Sequence, residues 1–144
     1  MTSPAPIALS DRARAFLDAD RFATIATLDP DGGPRQAVTW YTLDSDVIVL
    51  NSAVGRRWPA NLVRDPRVSI AVTGGADGYR WVGLTGWVDV VTDQAVAQAD
   101  IAAMSRRYHA DDPVEAERLI REYYATQQRI TFRFHATSVH EYFE

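Results

Sequence analysis

Hydrophobic and polar positions change their period several times along the chain, and each change predicts an element. Ser10 suits a helix N-cap, and Ala13, Phe16 and Leu17 follow at spacings of three and four, which predicts a short amphipathic helix over residues 10–19. Phe22 to Leu28 (FATIATL) and Gln36 to Leu43 (QAVTWYTL) read as strands, and the turn formers Asp29-Pro30-Asp31-Gly32-Gly33-Pro34 between them make a hairpin. Asp44-Ser45-Asp46 turns the chain again. Val47 to Leu50 is then an uninterrupted apolar run, the pattern of a strand covered on both faces. Three antiparallel strands are thus predicted ahead of the next helix.

Beyond Pro66 the period returns to two. Val68, Ile70 and Val72 alternate with Ser69 and Ala71, as in a half-buried strand, and Gly74 to Gly78 reverses the chain. Tyr79 to Val91 is long for a strand, and its Gly83 and Gly86 suggest bulges where a sheet bends towards closure. A helical pair follows over about 93–125. Thr92 and Asp93 cap its first member, which runs to about Tyr108 with Val96, Ile101 and Met104 apolar; Asp112-Pro113 starts the second, over about 113–125. Two closing strands are predicted, Arg129 to His135 and Ser138 to Phe143. The fold class is mainly β with peripheral helices: one domain over 1–144, closing as a six- or seven-stranded antiparallel barrel.

One stretch joins strand to helix through a turn with chemistry of its own. In Asn51 to Pro66 (NSAVGRRWPANLVRDP) the small residues Ala53, Val54 and Gly55 would let a ligand approach the first amides of a helix, which lack intrahelical partners and suit an anion. Arg56 and Arg57 add guanidinium forks that grip phosphate oxygens in pairs. Asp65-Pro66 ends the helix. The same residues also describe a solvated helix start with two surface arginines, and the pattern alone does not separate the two.

Composition narrows the chemistry. With a formal net charge of -4, the chain has no general attraction for nucleic acid or an anionic membrane, so an anion site must be local. No segment approaches the ~20 apolar residues of a membrane span or resembles a signal peptide, so a soluble, unprocessed protein is expected. Cysteine is absent, which fits a reducing cytoplasm and removes thiolate chemistry. All 15 basic residues are arginine. Without lysine there is no Schiff base and no P-loop lysine.

Protein-borne catalytic groups are scarce. His109 near Asp111 and Asp112 has the look of a metal cluster, but Asp112 is already accounted for as a helix cap. His135 and His140 are five apart, which an unbroken strand would place on opposite faces. No local motif supports a nucleophile or an acid–base pair. Trp40, Trp58, Trp81 and Trp87 serve either as core or as faces that bracket a flat heterocycle. Together these features fit a cofactor that carries its own chemistry.

The hairpin FATIATLDPDGGPRQAVTWY, the turn-helix GRRWPANLVRDPRVSI and the strand YRWVGLTGWVDV, in this order, resemble the flavin and deazaflavin split β-barrel proteins related to pyridoxamine 5'-phosphate oxidase. They are most similar to the actinobacterial branch that uses coenzyme F420. The resemblance implies an FMN-binding-like split barrel and a cytoplasmic homodimer with a cofactor at each subunit interface, where reduced deazaflavin delivers hydride to a small conjugated or aromatic molecule. It implies that Asn51, Ser52, Gly55, Arg56 and Arg57 hold phosphate with Asn61 nearby, and that Gln36, Ala37, Val38 and Thr39 border the ring. Trp81 and Arg129 would reach in from the partner subunit. The sequence departs at Trp58, where the family usually carries lysine: either Arg56 and Arg57 compensate, or Trp58 fills the pocket. An FMN enzyme and a non-catalytic flavin- or haem-type binding protein are the alternatives on the same scaffold.

Overall fold

The computed structural model describes residues 3–143; residues 1, 2 and 144, the ends of the expected 1–144 domain, lie outside it. Its elements in chain order are α1 (Asp11–Leu17), β1 (Ala23–Leu28), β2 (Pro34–Thr39), β3 (Thr42–Asp44), β4 (Val47–Ala53), α2 (Arg57–Arg64), β5 (Arg67–Gly74), β6 (Arg80–Val91), α3 (Gln94–Tyr108), α4 (Pro113–Glu122) and β7 (Arg129–Tyr142), with a 3-10 turn at Tyr124–Thr126. The caps fall where local chemistry put them. Ser10 accepts from the Ala13 amide, Asp93 from Ala95 and Val96, and Asp112 from Glu115.

The strands form one seven-stranded antiparallel sheet in the order β2-β1-β5-β6-β7-β4-β3. Its two edge strands, β2 and β3, are consecutive in the chain and joined only by Trp40 and Tyr41. A two-residue link spans only about 10 Å, so the edges must meet and the sheet must curl. This is the split barrel. Ile25, Ile70, Val72, Leu84, Phe132, Phe134, Ile48 and Leu50 fill its interior, with Leu17 of α1 and Trp58 and Leu62 of α2 in the same cluster. α3 packs outside, its Ile101 and Met104 against Val49 of β4. This explains why Val47 to Leu50 reads as apolar on both faces.

Four sequence-based expectations need correction. The predicted strand Gln36–Leu43 is two strands, because at the barrel edge Tyr41 turns wholly inward and its hydroxyl donates to the Leu17 carbonyl at 2.7 Å. Four strands therefore precede α2, not three. β4 runs on through Asn51, Ser52 and Ala53, paired with Thr131, Ile130 and Arg129, so the polar pair lies inside the strand. The two predicted closing strands are one, β7, with a bulge: Thr85 pairs with Ser138 but Gly86 with Ala136, leaving Thr137 extra. At that bulge a Cβ on Gly86 would fall 2.0 Å from the His135 carbonyl oxygen, so only glycine fits. The extra residue also shifts the alternation. His135 and His140 consequently share a face, His135 tilted against Trp87 and His140 stacked on Trp81, with ring centroids 4.5 and 4.8 Å apart.

Among the described residues no helix is long and apolar enough to cross a membrane.

Candidate anion-binding corner

After β4 the chain turns through Gly55, at φ 107°, and enters α2 with Arg56 as its N-cap. Among the described residues no side chain caps this helix; Pro59 carries no amide hydrogen and the Ala60 amide bonds the Arg56 carbonyl, so the amides left for another acceptor are those of Arg57 and Trp58. Arg56 and Arg57 are exposed, and neither side chain makes a hydrogen bond or ion pair among the described residues. Gly55, Arg56, Arg57, Ala60, Asn61 and Arg64 form one wall of a cavity of about 580 Å³, and Asp29, Pro30 and Asp31 of the β1–β2 turn form the other.

Asn61 holds the two walls together. It is 1% exposed; its amide donates to Thr27 Oγ1 at 3.1 Å and Asp29 Oδ1 at 3.0 Å, and its Oδ1 accepts from Arg64 at 3.1 Å. With its donors engaged, Asn61 fixes the corner rather than contacting an anion directly. Arg35 Nε lies 3.0 Å from both Asp29 oxygens. The Asn61 amide and then Arg35 hold the Asp29 carboxyl below the usual carboxylate range, with a further contribution from Arg57.

The remaining predicted site residues lie elsewhere. Trp58 turns away from the cavity into the barrel, 8% exposed, with its ring centroid 5.7 Å from that of Phe132. It does not plug the corner. Asn51 and Ser52 are buried in β4. Asn51 donates to the Ala97 carbonyl at 2.9 Å and to Thr131 Oγ1 at 3.0 Å, and its Oδ1 accepts from Arg129 Nε and Nη2 at 3.0 and 2.8 Å. Arg129 is thus folded back within its own chain, 4% exposed, with Gln127 Oε1 2.6 Å from Nη1 and the Tyr124 ring centroid 5.3 Å from its guanidinium carbon. Burial, and then Arg56, push it down to about 10. Gln36 to Thr39 lie on edge strand β2, Gln36 and Val38 facing out and Val38 69% exposed. Trp81 stacks on His140 at the far end of β6.

A second cleft of about 750 Å³ lies on the outer face of the sheet. Its lining includes small residues, among them Ala26, Ser69, Thr85 and Gly86, with Pro34 and Trp87 beside them. Leu28 and Asp65 line this cleft while their chain neighbours Asp29 and Arg64 line the corner, so the two openings adjoin. Asp29, Asp31 and Arg64, which line the corner, and Arg35 behind Asp29 are residues that the sequence reading did not assign to the candidate site. Asp29 and Asp31 sat in a segment explained as turn chemistry, and only the fold brings that turn against α2.

The family model described as pyridoxamine 5'-phosphate oxidase matches residues 9–142. No curated protein matches the chain. Among solved structures it is similar to an F420 reductase (21% identity over 92% of this chain and 98% of that one, TM-score 0.72). It is also similar to a conserved hypothetical protein from Mycobacterium tuberculosis (24%, 99% and 89%, 0.77) and to HutZ, the heme storage protein from Vibrio cholerae (17%, 94% and 96%, 0.69). At these identities the structural likenesses show the fold. The family match spans almost the whole length, and the chain belongs to the pyridoxamine 5'-phosphate oxidase family.

Proposed function

We propose that this family member is a deazaflavin-dependent oxidoreductase in which reduced coenzyme F420 gives hydride to a small conjugated or aromatic substrate. One observation carries the reading: among the described residues Arg56 and Arg57 make no ion pair, and they stand beside an uncapped helix start in the wall of a cavity that adjoins a second cleft. This donor set suits phosphate, and Trp58, where the family usually has lysine, leaves the corner open. Arg56, Arg57 and the first α2 amides would hold the phosphate. The ring would lie along the β1–β2 hairpin beside Gln36, Ala37, Val38 and Thr39, whose open ledge a second copy of the chain would cover to complete a homodimer site. Bound there, the deazaflavin supplies the hydride; the protein orients it, excludes water and stabilises charge.

FMN on the same corner is the alternative, since a phosphate and a planar ring are common to both. The experiment is a fluorescence titration of the purified protein with F420 and with FMN, followed by reduced F420 consumption across quinones, enones and tetrapyrroles. Tight F420 binding with turnover supports the proposal. Co-purified yellow FMN replaces it with the alternative, and ligand binding without any turnover leaves a non-catalytic binding protein; storage is what the name of one neighbour gives that protein.

A further inference from the structure

Arg64 lines the corner with Arg56 and Arg57, yet the fold treats it differently. It is tethered: its Nη2 donates to Asn61 Oδ1 at 3.1 Å and to the Leu28 carbonyl, two oxygens on different elements. Both acceptors are neutral. The carboxylates around it are engaged elsewhere, Asp65 with Arg67 at 2.7 Å and Asp29 with Arg35 at 3.0 Å, and among the described residues Arg64 makes no ion pair. Its Nε and Nη1 have no partner among those residues either. An ion pair would quench the charge, whereas neutral tethers fix a planar donor fork and keep its charge available to a ligand.

Position decides which part of a ligand Arg64 meets. Arg57, Ala60, Asn61 and Arg64 recur at spacings of three and four, so they share the α2 face that lines the corner. The guanidinium is held beside Asn61, about 6 Å further along the helix axis than Arg57. A phosphate on the amides of Arg57 and Trp58 sits at the helix start, so Arg64 faces what the phosphate is attached to. It also stands where the two openings join: Arg64 lines the corner, while its neighbour Asp65 and the residue whose carbonyl holds it, Leu28, line the cleft. A ligand that reaches from the helix start towards the cleft passes Arg64 where its chain joins its ring. In flavins and deazaflavins the ring edge beside that junction carries a pyrimidine nitrogen and carbonyl, which hold the negative charge of a ring that has taken up hydride without a further proton.

We propose that Arg64, tethered by Asn61 and the Leu28 carbonyl, meets this ring edge and makes the site favour the reduced, negatively charged cofactor over the oxidised one. The inference rests on the reading of the corner as a cofactor-phosphate site and adds a residue that acts on the ring. Arg56 and Arg57 serve the phosphate, which is the same in both redox states; Arg64 serves the part that changes charge.

The test is an anaerobic fluorescence titration at pH 8 with F420 and with FMN, each in its oxidised and its reduced form. Arg64→Met keeps much of the stem and removes the charge. It should weaken binding of the reduced form about ten-fold and of the oxidised form by no more than about two-fold. Arg64→Lys, which keeps a charge, should recover most of the lost preference. Riboflavin and its deaza counterpart, which keep ring and ribityl chain without the phosphate, should lose their preference for the reduced state in the same way. A loss confined to the phosphate-bearing ligands would make Arg64 a phosphate contact, and equal losses in both redox states, or a preference that Arg64→Lys does not recover, would make it a support for the corner's shape. Either result, or no change in Arg64→Met, overturns the inference while the phosphate site stands. If the parent binds neither F420 nor FMN, the corner is no cofactor site and both readings fall.

Discussion

Replacing Trp58 separates the two meanings of a tryptophan where the family usually has lysine. If the position still faced the phosphate, Trp58→Lys would restore a lost contact and tighten cofactor binding. The structure argues the opposite. Trp58 is 8% exposed within the cluster that contains Leu62 and Phe132, so a residue there lies inside the barrel end that α2 closes. Truncating such a side chain removes its transfer free energy and leaves a void, which makes Trp58→Ala less stable by about 3–5 kcal/mol. That is a large part of the roughly 5–15 kcal/mol that holds a domain folded. Trp58→Lys should lose at least as much, since the ammonium either stays buried unpaired or drags its stem out past α2. Urea and thermal unfolding by circular dichroism, with F420 and FMN titrations well below the transition, read both effects; a fall in Tm of roughly 10 °C or more is expected for either variant. A Trp58→Lys protein within about 1 kcal/mol of the parent that binds cofactor more tightly would refute the assignment of Trp58 to the core.

Two further perturbations test the scaffold. Asn51→Leu strips Arg129 of the acceptor for its Nε and Nη2 and leaves only Gln127 Oε1 bonded to that buried guanidinium, a loss of about 1.5–3 kcal/mol in urea unfolding; a change under about 1 kcal/mol would mean that water reaches Arg129. The Tyr41 hydroxyl is fully buried and pushed well above its usual value, chiefly by burial. Its contribution is therefore whole below about pH 10, where the unfolded phenol titrates, and declines as pH rises further. Tyr41→Phe should be less stable at pH 8 by about 1 kcal/mol through the lost Leu17 bond, yet show a shallower decline above pH 10. Identical slopes would contradict the burial of that hydroxyl.

The contrast between what the sequence disclosed and what it hid follows contact range. Ser10, Asp93 and Asp112 cap helices through amides two or three residues away, and Asp65-Pro66 ends α2 by local sterics, so these ends were legible. The β2–β3 break was not, because Tyr41 is turned inward by Leu17, and Tyr108, whose hydroxyl lies 3.3 Å from the Tyr41 amide, is 67 residues away. Asn51 and Ser52 looked like the end of a strand because polar residues after an apolar run usually are. Their partners Thr131, Ile130 and Arg129 belong to the last strand. The bulge at Thr137 carries no glycine or proline in β7; its marker is Gly86 on the opposite strand. In the site, the pair Arg56 and Arg57 was visible as a motif. The wall of Asp29 and Asp31 was not, since its approach to α2 depends on Asn61 reaching across 32 residues to Asp29.

The central claim is that the corner at the start of α2 binds the phosphate of a planar redox cofactor. Its most direct measurement compares the parent with the Arg56→Ala/Arg57→Ala double variant by fluorescence titration with F420 and FMN, alongside urea unfolding. Both residues are exposed, and neither side chain has a hydrogen-bond or ion-pair partner among the described residues, so the unfolding midpoint should not move. Charge-assisted contacts contribute roughly 1.5–3 kcal/mol each without strict additivity, so affinity for the preferred cofactor should fall by ~2–4 kcal/mol, about 30-fold to 1000-fold. A double variant that folds normally and binds both cofactors within about threefold of the parent would place the phosphate elsewhere.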